Sequence, residues 1–394
     1  MTAAVAREAR LELRVLFCIA RAQLPPTEME TLAELLQQDL DWNYLLAAAA
    51  RHGVWPLLQQ HVEQSAPALV PETVREALRK VMHDHAAYAL TRVGELHALL
   101  DGFRGEGLDL IPYKGPVLAE RLYGGCALRQ FGDLDFLVRR PEARRAQAYL
   151  LGRGFQPSLA APPGWEAWYE RARNEYSLQH PKSGLYVELH WGAWQRFVGM
   201  PVEVLSFWEH RETVLLAGRP VPSLGMEELL FLLCLHGTKH QWCRLGWLAD
   251  VAEILRSTPR LDWPRVLALA AASRSERFLG IGLWLADRLL AAPVPGGVLA
   301  RLTSDRRMAR LVGAMARALC HGSLGTPGEM EHLLFMLRAL PRQRDRLRLL
   351  WGVATEPCRD DWTFCRLPPA LAGLYAVVRP WRLFWTAVQG KIPR

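Results

Sequence analysis

The sequence predicts an α+β protein, in which a small mixed sheet stands between an N-terminal helical region and a C-terminal α-helical domain. Three observations predict it. Apolar side chains recur at helical spacing up to about residue 100 and again from Met226 onward. The stretch between them carries short apolar and aromatic runs bounded by glycine and proline. The chain has 394 residues, more than one ordinary core of roughly 150 residues accommodates. The expected regions are 1–100, 101–225 and 226–394.

Taken in order, Leu32, Leu35 and Leu36, then Leu45, Ala48 and Ala49, then Val93, Leu96, Leu99 and Leu100 mark successive helices. Pro25-Pro26 and the stretch Ser65 to Pro71 punctuate them. From Leu108 the texture changes. Leu108 to Tyr113 reads as a strand ended by Lys114-Gly115-Pro116, and Pro116 suits the first position of a helix continuing through Tyr123. Phe131 to Val138 is a second strand, followed by an arginine-rich helix from Pro141 to about Gly152. Asn174 to Gln179 and Leu185 to Trp191 form a hairpin across Pro181 to Gly184, and a further strand pair covers Glu212 to Leu216 and Arg219 to Leu224. The rest is helical, with breaks near Pro259, Pro293, Pro327 and Pro357.

Composition narrows the function classes. Half the residues are hydrophobic and 22% are charged, as in globular proteins. No apolar run approaches the roughly 18 residues of a membrane span, the purest short one being Leu229 to Leu235. The N-terminus, with Arg7, Glu8, Arg10, Glu12 and Arg14, lacks a signal-peptide apolar region. Seven scattered cysteines do not make a disulfide framework. The expected setting is the reducing cytoplasm. The net charge of +8 suits an anionic substrate such as a nucleotide, but arginines scattered along the chain supply most of the positive charge. Lysine is scarce: only Lys80, Lys114, Lys182, Lys239 and Lys391 are present. Where arginine is the default cation, a retained lysine marks a place suited to a compact ammonium.

The sharpest feature is Gly132-Asp133-Leu134-Asp135-Phe136-Leu137-Val138. Residues two apart in a strand share a face, so Asp133 and Asp135 project together while Leu134 and Phe136 turn to the core. Two neighbouring carboxylates repel unless a cation lies between them, and Mg²⁺ is the natural oxygen-seeking occupant. Solvated aspartates at a strand edge are the plainer reading. Glu188 shares a strand face with Tyr186 and His190 and can add a third carboxylate. The strand–Lys114-Gly115–helix junction has the form of an anion site, with exposed amides at a helix N-terminus.

These residues carry a resemblance. Tyr113-Lys114-Gly115-Pro116, Leu122-Tyr123, Arg129, Gly132-Asp133-Leu134-Asp135 and Val187-Glu188-Leu189-His190-Trp191 resemble an uncharacterised branch of the DNA-polymerase-β-type nucleotidyltransferase superfamily. His236-Gly237-Thr238-Lys239-His240-Gln241-Trp242, with Leu245, Trp247 and Asp250, resembles it too; the likeness spans roughly residues 95 to 260. Two features depart from the superfamily: its customary Gly-Ser pair is Gly115-Pro116 here, and the gap to Asp133 is longer. The resemblance implies that Asp133, Asp135 and Glu188 are catalytic and metal-binding. It implies two Mg²⁺ ions, with Mn²⁺ also compatible, about 3.5–4 Å apart, clamping the attacking and leaving oxygens of an in-line displacement. Lys114, Gly115, Arg129, Lys239 and His240 are the expected nucleotide-binding residues.

The implied activity moves a nucleoside monophosphate from an NTP, ATP among them, to a small-molecule or peptide acceptor and releases pyrophosphate. Two rivals stand beside it: a catalytically silent scaffold that keeps the fold, and an enzyme acting on RNA ends. No RNA-binding motif is present, so a nucleic-acid partner ranks below the others. Three local features each carry more than one reading. His236, Lys239 and His240 share a helix end and read as phosphate contacts, as a zinc site completed by Cys243, or as side chains satisfied by backbone carbonyls. Trp191, Trp194 and Trp242 read as base-stacking or core residues. Tyr375 to Trp385, with Arg379 and Arg382, reads as a docked terminal helix or an amphipathic membrane-surface segment.

Overall fold

The computed structural model describes residues 9–159, 164–192, 205–303, 305–321 and 328–388. Its first part is helical: α1 (Leu11–Ile19), α2 (Pro26–Leu36), α3 (Trp42–His52), α4 (Trp55–Ser65) and the long α5 (Glu72–Gly105). Local chemistry sets these boundaries. Pro26 opens α2, where its missing N–H costs nothing. Asp41 caps α3 by accepting the Tyr44 N–H at 3.0 Å, and Gly53 ends that helix at φ +72°.

The central strands are β1 (Ile111–Pro112), β2 (Asp133–Leu137), β3 (Gln156–Pro157), β4 (Glu175–Gln179) and β5 (Tyr186–His190). They form one sheet in the order β1-β2-β5-β4-β3, with β2 and β5 parallel and every other pair antiparallel. The sheet is therefore mixed, as the hairpin and the strand–helix alternation predict. The expected strand from Leu108 shrinks to two residues; the Leu108 N–H donates instead to the Phe103 carbonyl at 2.9 Å, at the end of α5. Helix α6 (Gly115–Tyr123) follows β1, and α7 (Ala143–Gly152) and α8 (Glu166–Ala172) lie in the connection from β2 to β5. A short 3₁₀ turn, Arg140–Glu142, stands where the sequence expects α7 to open. Strands β6 (Glu212–Leu216) and β7 (Arg219–Ser223) pair in a separate two-stranded sheet.

From Met226 the chain is helical again: α9 (Met226–Lys239), α10 (Leu245–Ser257), α11 (Trp263–Ala272), α12 (Glu276–Leu290), α13 (Gly296–Leu302), α14 (Arg306–His321), α15 (Glu329–Ala339), α16 (Gln343–Thr355), α17 (Arg359–Phe364) and α18 (Tyr375–Val388). Pro259, Pro293 and Pro357 fall between helices, while Pro327 lies outside the described residues.

Two large cores result. Leu134, Phe136, Val187 and Leu189 bury one face of the main sheet with Ala146 and Leu150 of α7 and Leu99 and Phe103 of α5. The helices before and after the sheet share the other: Leu16 and Leu45 belong to the same buried cluster as Leu229, Leu248 and Leu283. Each fully buried leucine there contributes roughly 1.5–3 kcal/mol. Trp242 sits at the centre of the C-terminal packing. A Cβ on Gly237 would stand 2.4 Å from its Cζ3, and one on Gly282 2.8 Å from its Cζ2. Its ring is fully buried, so Trp242 is a core residue and not a base-stacking one. Trp191 is also buried, its ring 4.7 Å from that of Tyr176, and Trp194 lies outside the described residues.

At the C-terminus, Arg379 and Arg382 each place a guanidinium nitrogen 2.6 Å from a carboxylate oxygen of the buried Asp361, and Tyr375 is fully buried. The segment is thus docked, with Trp381, Phe384 and Trp385 facing outward. Among the described residues no helix is long and apolar enough to cross a membrane. All seven cysteines are free.

Candidate functional site

Alternation along β2 sends Leu134 and Phe136 into the sheet core and leaves Asp133 and Asp135 on the opposite face. Parallel pairing then sets Asp135 beside Glu188 at the same register position of β5, and Leu137 beside His190. The antiparallel β4–β5 ladder brings Glu175 beside His190. One face of three adjacent strands therefore carries Asp133, Asp135, Glu188, His190 and Glu175.

His190 ties this face together. Its Nε2 lies 3.0 Å from Asp135 Oδ1 and 3.1 Å from Glu188 Oε2, and its Nδ1 lies 3.3 Å from Glu175 Oε2. Among the described residues, Asp135, Glu188 and His190 are the group whose ligand atoms all fall within 4.8 Å of one another. Asp133 stands outside that cluster, at the first residue of β2. The sequence placed His190 on the face of Glu188 but gave it no role. Glu175 carries no signal of its own in the sequence, since only the pairing of β4 with β5 brings it in.

Lys114 reaches the same face from the turn before α6. Gly115 adopts φ +57°, and a Cβ there would lie 3.1 Å from the Asp133 carbonyl oxygen, so glycine lets the turn close onto β2. The Tyr113 N–H donates to the Asp135 carbonyl at 3.2 Å, which positions the next residue. Lys114 Nζ consequently donates to Asp135 Oδ1 at 2.9 Å. Its ammonium is engaged with the central carboxylate.

These contacts reshape the titration of the cluster. Burial works against the charge of Asp135, but Lys114 and His190 outweigh it and hold its carboxyl well below the usual range. Burial likewise opposes the His190 cation, and Tyr113 together with bonds to Asp135, Glu175 and Glu188 holds its pKa well above the ordinary value. Asp133 goes the other way. The charge of Asp135, and then burial, push it up to about 6. Asp135 Oδ2 is buried and has no hydrogen-bond partner among the described residues. A buried carboxylate oxygen of that kind requires a cation or donor, and beside Glu188 and Asp133 it suits a divalent ion.

The remaining predicted residues lie around this centre. Lys239, in the last turn of α9, places Nζ 3.9 Å from Glu175 Oε2, bringing the C-terminal helices to the carboxylate face. His236 and His240 cluster with Trp247 at ring distances of 4.7 to 5.2 Å. Burial, then the charge of Lys239 and Lys114, takes His240 down to about 3. The ligand atoms of His236, His240 and Cys243 do not converge among the described residues, so the zinc reading fails. Arg129 is held in a bidentate pair with Asp250, donating from Nε to Oδ1 and from a terminal nitrogen to Oδ2 at 2.9 Å each, and the Tyr123 hydroxyl donates to the same carboxylate at 3.0 Å. That buried network joins α6 to α10 and occupies the guanidinium.

One solved structure similar to the chain is that of an antigenic nucleotidyltransferase-like protein from Paracoccidioides brasiliensis. It is 16% identical, with 55% of this chain and 97% of that chain covered at a TM-score of 0.30. No curated protein matches. The family model described as "uncharacterised nucleotidyltransferase" matches residues 38–291, well over half the chain, and the protein belongs to that nucleotidyltransferase family.

Proposed function

We propose that the protein is a metal-dependent nucleotidyltransferase that moves a nucleoside monophosphate from an NTP to a small-molecule or peptide acceptor, releasing pyrophosphate. The observation that carries this reading is the register match of Asp135 and Glu188 on adjacent parallel strands, with Asp135 Oδ2 buried and unpartnered beside them. Family membership supports the reaction class.

Asp133, Asp135 and Glu188 would hold the divalent ions, Mg²⁺ or Mn²⁺. Bound there, the ions supply Lewis acidity and offset the charge of the phosphates. The chain's own side chains do the rest. Lys114 fixes the Asp135 carboxylate and lowers the repulsion between neighbouring acids. Lys239 stands across from β4 and offers a partly exposed cation to the triphosphate, with His240 one residue on. Gly115 keeps the strand–helix turn tight against β2, where the phosphates would lie. Glu188, more exposed than Asp135, faces the acceptor and orients its hydroxyl. Positioning and charge neutralisation account for most of the expected rate.

One observation favours a second reading, a catalytically silent member of the family. Lys114 and His190 already satisfy Asp135 Oδ1 internally, as an inert ion-pair network would. The two readings part in one experiment. The protein is incubated with each α-labelled NTP and Mg²⁺ or Mn²⁺, and pyrophosphate release is followed with candidate acceptors. Label transfer that disappears in Glu188→Gln supports the enzyme. NTP binding without release under every condition supports the silent reading.

A further inference from the structure

His190 does more on this face than neutralise an acid. The ring is buried, and both of its nitrogens meet carboxylates: Nε2 meets Asp135 and Glu188, Nδ1 meets Glu175. A histidine whose Nδ1–H is donated to a carboxylate has a fixed ring orientation and a more basic Nε2, an arrangement that recurs behind metal-bound imidazoles. Here that Nε2 points between the two carboxylates of the candidate metal site. The second oxygen of Asp135, Oδ2, is buried and has no partner among the described residues, and the ligand atoms of Asp135, Glu188 and His190 all lie within 4.8 Å of one another.

We propose that Asp135, Glu188 and His190 form a mixed nitrogen–oxygen metal site that takes a first-row transition ion such as Mn²⁺ in preference to Mg²⁺. The proposal rests on the metal-dependent reading above and adds the identity of one ion. Mg²⁺ favours oxygen and water ligands in strict octahedral geometry, whereas imidazole nitrogen binds the transition ions more strongly. When the ion enters, any proton on Nε2 leaves to solvent and its lone pair becomes the donor. The Nδ1 proton stays with Glu175. Asp133, outside the cluster, is left for an oxygen-only position.

The test uses the full-length protein and Mn²⁺ alone. Pulsed electron paramagnetic resonance of the bound ion should show nitrogen coupling from a directly ligated imidazole, and His190→Gln should abolish it. Competition between the two ions should favour Mn²⁺ by at least about tenfold in the wild type and fall toward parity in His190→Gln. Glu175→Gln, which removes the carboxylate charge facing both Nδ1 and Lys239, should weaken Mn²⁺ binding about tenfold while nitrogen coupling persists. Bound Mn²⁺ without nitrogen coupling, or coupling that survives His190→Gln, overturns the proposal and leaves the nucleotidyltransferase reading standing. Absence of any divalent-ion binding, with or without NTP, overturns both. If His190→Gln does not fold, as judged by circular dichroism, the wild-type spectrum and Glu175→Gln still decide.

Discussion

Lys114 and Asp135, 21 residues apart, meet in a buried ion pair in which Nζ lies 2.9 Å from Oδ1. The amine comes from the turn after β1 and the carboxylate from the middle of β2, so the pair locks the strand–helix junction onto the sheet. Removing one partner of a buried pair strands the other charge. Lys114→Met should therefore destabilise the fold by about 3 kcal/mol, read as a lower urea midpoint at unchanged slope. His190 still touches Asp135 in that variant, so the loss should fall short of complete unfolding.

Asp133 and Asp135 should respond to amidation with opposite signs in stability. The charge of Asp135 and burial raise Asp133 to about 6, above an ordinary value of 3.8. Between those values the native state binds more protons than the unfolded chain, so stability falls as pH rises through the window. Asp133→Asn removes that penalty. In chelator-containing buffer at pH 8 it should stabilise the fold by about 1–3 kcal/mol and flatten stability between pH 4 and about 6. Asp135→Asn leaves Lys114 and His190 without their common counter-charge and should destabilise. Both should lower nucleotidyl transfer by orders of magnitude, measured as pyrophosphate release.

His52 sets an acid limit on the helical core. Its Nδ1 accepts the Leu245 N–H at 3.3 Å, at the start of α10, and so must be unprotonated. Burial, then the charges of Arg51 and Arg244, lowers its pKa to about 4. A histidine depressed in the native state binds fewer protons there than in the unfolded chain. Stability should therefore be full above pH 6.5 and decline by about 2–3 kcal/mol as pH falls toward 4. Denaturation series at several pH values should show a shallower decline in His52→Asn.

Lys239 and Lys182 make a matched pair for testing where the nucleotide lies. Lys239 stands 3.9 Å from Glu175 at the carboxylate face, whereas Lys182 is exposed in the β4–β5 turn. Lys239→Ala should weaken NTP binding about tenfold, and Lys182→Ala should leave it unchanged, by isothermal titration. Equal effects would place the nucleotide elsewhere.

The sequence alone determined the alternation of β2, the β4–β5 hairpin and the helical character of both flanks. Those features follow from side-chain period and turn chemistry, which act over a few neighbouring residues. Asp133 and Asp135 share a face because a strand repeats every two residues, whatever it pairs with. Glu175 and His190 are different. Their place in the cluster depends on which strand lies beside β5, and in what register, and no local pattern encodes that. Arg129 shows the same limit from the other side. Its motif suggests a nucleotide contact, yet folding delivers Asp250 from 121 residues away to take the guanidinium. Only the tertiary structure decided these partners, because a buried charge is answered by whichever opposite charge the packing of distant segments brings within reach.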